Sequence, residues 1–277
     1  MNETPNRWRG RRVLVTGCTG LLGSAVTREL LAGGGDVVGL IREHRAIPDF
    51  TTQRFPGQLR VVRGRVEDRF RIYSALAIHE AVALFHLAPA DERGTTTVLE
   101  AASSYNRQLP VVIARPATTN SVPVTSARLG IARFGELFGP SDRNEEHVIP
   151  VTLKARLTGS QLPFTLNGPA KDFVYANDAA RACVTLANAL AEPTAPHIMA
   201  ATFRSGWECT DREMSASVRD TFDGLDAPHN FDAVPTNPLG WSPSYSIGDA
   251  LNETAAWWRE HHDTRAATFN PRLRSAA

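Results

Sequence analysis

Three observations predict an α/β protein built on a doubly wound parallel sheet, with a small C-terminal substrate-binding region. Short apolar runs alternate with helix-period segments from residue 12 to about residue 134. Three glycines, Gly17, Gly20 and Gly23, stand between the first such run and the first such segment. The 277 residues are 42% hydrophobic, enough for one large core and a smaller partner. The division expected is residues 1–141 for the sheet, with 172–195 returning to it, and 142–171 with 196–277 for the smaller region.

The first thirty residues organise the rest. Val13 to Val15 reads as a buried parallel strand, and Leu22, Val26 and Leu30 mark one face of the helix that follows. Between them, Gly17 permits the tight turn, Gly20 lets the backbone approach a pyrophosphate, and Gly23 lets helix and strand pack closely. The helix start offers free N–H groups and a positive dipole end to that phosphate. This is the dinucleotide-binding arrangement of a Rossmann sheet, and its expected contacts are Gly17, Thr19, Gly20, Leu21, Leu22 and Gly23. Cys18, inside the turn, reads as a small packing residue.

Gly33-Gly-Gly35 ends the helix and Asp36 to Ile41 makes the second strand. An acid closing this strand would hold a ribose and repel a 2′-phosphate. The chain has Ile41, then Arg42, with Arg45 beyond, and a guanidinium matches phosphate bidentately. NADP(H) is therefore the expected cofactor. Leu59 to Val62 gives a third strand, and Ile72 and Leu76 mark the helix after it. Ala81 to Phe85 gives a fourth strand, ending in His86-Leu87-Ala88-Pro89, where His86 reads as structural. A helix from Gly94 to about Tyr105 leads to a fifth strand at Pro110–Ala114, and a sixth lies within Thr125–Phe134.

Composition removes several classes. A net charge of +1 and a pI near 7.8 give no basic field for nucleic acid or an anionic membrane. No apolar run approaches the roughly 20 residues of a membrane span, and the first residues carry no apolar signal region. Cys18, Cys183 and Cys209 are odd in number and scattered, which argues against disulfides and zinc. A reducing cytoplasm is the setting these features predict, with no metal.

Several segments together resemble the extended short-chain dehydrogenase/reductase family, the epimerase/dehydratase type. They are Thr16-Gly17-x-x-Gly20-x-x-Gly23, Gly64-x-Val66-x-Asp68, Phe85-His86-Leu87-Ala88 and Gly94-Thr95 before Leu99-Glu100-Ala101. Arg133-Phe134 with Gly139-Pro140, Asp172-Phe173-Val174-Tyr175, and Leu239-Gly240-Trp241-Ser242-Pro243 follow in family order. The resemblance implies NAD(P) on the sheet, with Arg65, Val66, Leu87, Ala88 and Pro89 completing its site, and substrate held against a small C-terminal region. Val66 is expected at the adenine; Arg65 either stacks on it or is solvated.

The departures bear on chemistry. The family's acid/base is a tyrosine four residues before a lysine, on the helix between the fifth and sixth strands. Tyr73, Tyr105, Tyr175 and Tyr245 are followed four residues later by Ala77, Leu109, Ala179 and Asp249, so the pair is absent. Little more than ten residues separate Ala114 from Arg128, so that helix is expected to be missing too. Glu136 replaces an asparagine near the family's sugar-nucleotide diphosphate, and Lys171 replaces an arginine there; together they argue against such a substrate. Phe134, Phe138, Met199, Phe203 and Trp207 are the candidate lining for a flat apolar or aromatic substrate.

A positioned general acid contributes roughly 10²–10⁴-fold, so its loss slows hydride transfer without abolishing it. Thr118, Thr119 or Ser121 could donate a hydrogen bond in its place, water could deliver the proton, or a phenol beside the ketone could supply it. A shortened reductase with a cofactor site and no tyrosine resembles the atypical ketoreductases of aromatic polyketide antibiotic biosynthesis. The favoured function is thus an NADPH-dependent ketoreductase acting on an aromatic, angucyclinone-type ketone. A non-catalytic NADP(H) sensor and a nucleotide-sugar epimerase or dehydratase are the alternatives.

Overall fold

The computed structural model describes residues 7–43, 59–89, 91–162, 166–225 and 235–261; Arg45 lies outside them. The strands are β1 (Arg12–Thr16), β2 (Asp36–Ile41), β3 (Leu59–Arg63), β4 (Ala83–His86), β5 (Pro110–Pro116), β6 (Arg128–Phe134), β7 (Glu136–Phe138), β8 (Lys171–Tyr175), β9 (Ile198–Thr202) and β10 (Glu208–Cys209). The α-helices are α1 (Leu21–Ala32), α2 (Arg69–Ile78), α3 (Glu92–Tyr105), α4 (Val148–Thr158), α5 (Ala176–Leu190), α6 (Asp211–Phe222) and α7 (Ile247–His261).

Seven strands form a parallel sheet in the order β3-β2-β1-β4-β5-β6-β9. Alternation along β1 shows why both faces must be covered. Val13 and Val15 point into a core with α1 and α5, whereas Leu14 points into a second core with α2 and α3. The strand order reverses between β1 and β4. That reversal opens a crevice beyond the carboxyl ends of the strands.

The glycine turn is as tight as its residues demand. Gly17 adopts φ +76°, and a Cβ there would lie 2.4 Å from the Ala88 nitrogen. A Cβ on Gly23 would lie 2.0 Å from the Gly17 carbonyl oxygen, so α1 seats directly on the turn. Leu22, Val26 and Leu30 are buried, as their spacing predicts. Cys18 packs towards β2, where its Sγ would lie 2.8 Å from a Cβ on Gly39.

Residues 117–127, between β5 and β6, contain neither helix nor strand. The crossover is held by its own bonds: Ala117 N–H donates to Phe134 O at 2.6 Å, and Arg133 Nε donates to Thr119 O at 2.7 Å. The helix expected to be missing is missing.

A second, three-stranded sheet has the order β10-β8-β7 and packs against α4, α6 and α7 around Phe138, Phe173, Tyr175, Trp207 and Trp258. Two boundaries differ from the division read in the sequence. Ile198–Thr202 pairs with β6 and completes the large sheet, because Ala201 and, just beyond the strand, Phe203 fill the core under α5. Residues 172–175 belong to β8 in the small sheet, while α5 immediately after them returns to the large one.

Asp178 fastens the C-terminal segment to α5. Its buried carboxylate accepts from Ser244 N at 2.8 Å, Tyr245 N at 3.4 Å and Arg181 Nη1 at 3.0 Å. Its carbonyl accepts from Trp241 Nε1 at 3.2 Å, and Trp241 sits edge-on to Phe203.

Candidate functional site

The carboxyl ends of β1, β2 and β4 frame a cavity of about 160 Å³ lined by Gly17, Thr19, Gly20, Leu40, Ile41, Arg42, Gly64, Arg65, Val66, Glu67, Ala88 and Pro89. The start of α1 faces it. Asp68, Asp91 and Thr210 cap α2, α3 and α6, whereas α1, like α4, begins with no side-chain cap and no acid in its first turn, and of those two only the start of α1 borders this cavity. The N–H groups of Leu21, Leu22 and Gly23 have no carbonyl one turn earlier, so they are donors for an anion. A Cβ on Gly20 would meet only the Gly17 oxygen at 3.4 Å, which leaves the approach open. The chemistry of these donors fits a dinucleotide pyrophosphate.

The expected cofactor residues therefore divide into two groups. Gly17, Thr19, Gly20, Arg42, Arg65, Val66, Ala88 and Pro89 line the cavity. Leu21, Leu22, Gly23 and Leu87 do not; Leu22 is a core residue, Leu21 and Leu87 pack against that core, and Gly23 seats the helix. What Leu21, Leu22 and Gly23 can offer is backbone N–H.

A second cavity of about 500 Å³ adjoins the first through Arg42, Gly64 and Arg65, and is completed by Glu43, Arg63, Asp68 and Arg71. Four guanidinium groups surround the space beyond the end of β2. Arg63 and Arg71 were not singled out in the sequence, although the pairing of Ile41 with Arg63 in neighbouring strands brings them there. Arg65 is largely solvated, with Nε 3.3 Å from Glu67.

His86 and Cys18 stay outside the chemistry. Thr16 Oγ1 lies 2.7 Å from His86 Nδ1, and burial pushes the imidazole down to about 4, so it is neutral across the physiological range. Burial pushes the thiols of Cys18 and Cys209 up to about 11, and that of Cys183 up as well. Thiolates are the reactive species, so native protein at pH 7.5 is expected to react with none of a disulfide reagent's equivalents. Denatured protein should titrate all three cysteines. A rapid native reaction would contradict the packing described.

A third cavity, of about 460 Å³, opens at the carboxyl ends of β5 and β6. Its walls are Ala114, Arg115, Pro116, Ala117, Thr118, Phe134, Gly135, Glu136, Leu137, His147 and Lys171. Because β4 and β5 are neighbours in register, with His86 opposite Ile113, it lies one strand along from Ala88 and Pro89. Neighbouring strands are about 4.8 Å apart. The first and third cavities thus share one edge of one sheet.

Several sequence expectations are corrected at this cavity. Thr118 lines it, whereas Ser121 is exposed on the crossover and Thr119 uses its carbonyl to hold Arg133. Of the aromatic set, only Phe134 reaches it. Phe203 stacks on Phe134 within the large core, Phe138 and Trp207 pack together under the small sheet, and Met199 is a half-buried residue of β9. Phe203 is interior because β9 rejoins the main sheet, and Phe138 and Trp207 are interior because the small sheet packs on its own helices.

The Lys171 charge at this cavity is compensated, while a second cation, Arg115, also lines it. Lys171 Nζ lies 2.8 Å from Asp211 Oδ1 and 3.3 Å from Glu136 Oε2, and these partners raise its pKa against the opposing effect of burial. His147, which sequence reasoning missed, lies 3.5 Å from Glu136 and 2.9 Å from Asp142. Asp91, which departs from the family asparagine, has a local role as the cap of α3, accepting from Gly94 N at 2.7 Å.

Comparison with known proteins agrees with this geometry. A family model described as NAD(P)H-binding matches residues 17–169, and the chain belongs to that family. The segment includes the glycine turn and, apart from Lys171, the lining of the three cavities described. GDP-L-fucose synthase 1 of Arabidopsis thaliana is 25% identical over 144 residues, 44% of this chain and 43% of that protein. The chain thus matches less than half the length of that curated relative. Among solved structures, an epimerase of Methanothermobacter thermautotrophicus has a TM-score of 0.71 at 20% identity, over 95% of this chain and 96% of that one. The UDP-glucose 4-epimerase of Thermotoga maritima, solved with UDP-glucose, has a TM-score of 0.69 at 16% identity, over 91% and 99%. The Bordetella bronchiseptica enzyme WbmF, solved with NAD+ and UDP, has a TM-score of 0.71 at 19% identity, over 95% and 100%. The fold is that of these enzymes. No helix among the described residues is long and apolar enough to cross a membrane.

Proposed function

We propose that this protein is an NADPH-dependent ketoreductase acting on an uncharged aromatic ketone, an angucyclinone-type polyketide being the expected class. The observation that carries the reading is the contrast between adjoining sites on one sheet edge. Beyond β2 stand Arg42, Arg63, Arg65 and Arg71, a setting for a 2′-phosphate, whereas the cavity at β5 and β6 has its one lysine already held by two carboxylates. A diphosphate drawn to Lys171 would have to displace Glu136 and Asp211 from it, which leaves Arg115 as the other lining cation. A flat, neutral substrate would displace neither carboxylate.

The chain supplies positioning. The α1 amides would hold the pyrophosphate and Val66 and Leu40 would border the adenine, with Ala88 and Pro89 on the side towards β5. Bound NADPH supplies hydride to a carbonyl carbon. Thr118 can donate a hydrogen bond to the carbonyl oxygen, with Phe134, Leu137 and Pro116 as apolar walls. Holding the partners in line accounts for much of the barrier reduction. A phenol beside the ketone brings its own hydrogen bond to that oxygen.

The test follows absorbance at 340 nm with NADPH or NADH and a panel of ketones, half carrying an adjacent phenol. The expected result is oxidation of NADPH with the phenolic ketones, at least about tenfold faster than with NADH, a difference near 1.4 kcal/mol. Interconversion of a UDP-sugar without net consumption of cofactor would replace this reading with an epimerase. Binding of NADPH with no turnover of any ketone would replace it with a sensor.

A further inference from the structure

We infer that His147 is the protein's proton donor, returning a proton through Nε2 to the substrate oxygen that hydride transfer leaves negatively charged. The inference rests on the ketoreductase reading and supplies the acid that the absent tyrosine would have provided.

The argument begins with elimination. Tyr175 is buried and donates to Glu253, and no tyrosine lines the cavity at β5 and β6. A guanidinium is a hydrogen-bond donor and not a source of protons in proteins. Lys171 is held between Glu136 and Asp211, whose proximity raises its pKa and makes it a poor donor. The Thr118 hydroxyl can donate a hydrogen bond, but it is too weak an acid to release a proton. Among the described residues, His147 remains the one lining side chain that gives up a proton near neutral pH.

Its surroundings are those of a positioned acid. Nδ1 lies 2.9 Å from Asp142 Oδ2, and Asp142 is only 5% exposed, so the carboxylate fixes the ring by accepting a hydrogen bond from Nδ1–H. Asp142 is itself oriented, accepting from Asn144 N at 3.1 Å. That leaves Nε2 as the exchanging atom. Neutral, it accepts from Asn144 Nδ2 at 3.0 Å; once protonated it must move off that amide, with Glu136 Oε1, 3.5 Å away, as the facing carboxylate. The amide cannot simply turn over, because Asn144 Oδ1 accepts from Glu146 N at 3.1 Å.

The charged groups facing the ring are Asp142, Glu136 and Lys171. The Asp142 hydrogen bond is the largest influence and raises the pKa above the ordinary imidazole value; burial and Lys171 oppose it, and the charges of Asp142 and Glu136 add to it. The acid form is therefore populated close to neutrality.

The step balances. Hydride from NADPH forms the new C–H bond and the carbonyl π pair moves to oxygen. The Nε2–H bond breaks as the O–H bond forms, giving alcohol and neutral imidazole, which recovers its proton from water. Where a phenol has already donated to that oxygen, the charged oxygen that His147 protonates is the phenolate.

The test uses full-length protein and its His147→Gln and Asp142→Asn variants. Three quantities are read: the NADPH dissociation constant, the pH profile of kcat with a phenolic ketone, and the imidazole titration followed by NMR. His147→Gln should leave NADPH affinity unchanged, lower kcat about 100-fold, and flatten the fall in kcat that wild type shows as pH rises above 6.5. Asp142→Asn should keep the limb but move it to lower pH. The resonance absent from His147→Gln should titrate above the ordinary value in wild type. A variant within about threefold of wild type with the same pH limb would overturn the assignment while leaving the ketoreductase reading intact. So would a His147 titration at or below the ordinary value. Wild type that reduces no ketone at any pH would overturn both.

Discussion

Gly23→Ala is expected to weaken NADPH binding by about 100-fold and to destabilise the chain. The added carbon would lie 2.0 Å from the Gly17 oxygen and 2.6 Å from the Gly17 carbon, both backbone atoms of the turn that must hold pyrophosphate. Neither can move without shifting α1 off β1 or pushing Gly17 towards Ala88. Overpacking of this kind costs about 1–3 kcal/mol, and roughly 3 kcal/mol is a hundredfold in affinity. Gly20→Ala makes the contrast. Its Cβ would meet only the Gly17 oxygen, at an ordinary 3.4 Å, so it should melt close to wild type yet bind NADPH less well, because the methyl group enters the cavity. Fluorescence titration with NADPH and thermal denaturation of the two variants check both halves. Equal behaviour of the two would contradict the separate duties assigned to these glycines.

Asp178→Ala is expected to destabilise the fold by roughly 3 kcal/mol, because two part-buried N–H groups and the Arg181 guanidinium lose their shared acceptor, each such loss costing about 1–3 kcal/mol. Ser244 N and Tyr245 N both point at this carboxylate, and Arg181 closes the site. For a chain of this size the change corresponds to a fall of about 10 °C in melting temperature. Asp178→Asn, which keeps one acceptor oxygen, should lose less. The loss should appear before any change in the NADPH constant, since Asp178 lies under the C-terminal segment and away from the glycine turn. Calorimetry on the three proteins decides the point, and an Ala variant as stable as wild type would remove Asp178 from its place as a fastener.

What could be read in the sequence was local or set by length. Gly17, Gly20 and Gly23 announce their turn because each glycine has a separate steric duty within seven residues. The absent crossover helix follows from counting residues between Ala114 and Arg128. The aromatic set failed for a long-range reason. Residues 196–203 return to the large sheet as its seventh strand, which turns Phe203 inward, and Trp207 is drawn under β8 beside Phe138. Nothing in the spacing of these residues distinguishes lining from core.

The His147 cluster was hidden for a related reason. Asp142 and His147 are close in sequence, but Glu136, Lys171 and Asp211 join them only through β7, β8 and the first turn of α6. A histidine five residues after an aspartate has no signature until the loop folds. Arg63 and Arg71 were nearer to hand. Aligning Asp36–Ile41 against the third strand as parallel neighbours places Arg63 beside Ile41 and next to Arg42, and the helix after it supplies Arg71.

The central claim is that hydride passes from NADPH to a ketone held at the ends of β5 and β6. It is tested most directly by supplying NADPH deuterated at its transferring carbon, together with a phenolic ketone, and analysing the product by mass spectrometry and NMR. The account predicts one deuterium on the new carbinol carbon for each NADPH consumed, with the label retained at a single configuration. An unlabelled product, or a cofactor that keeps its deuterium while ketone is untouched, would contradict it.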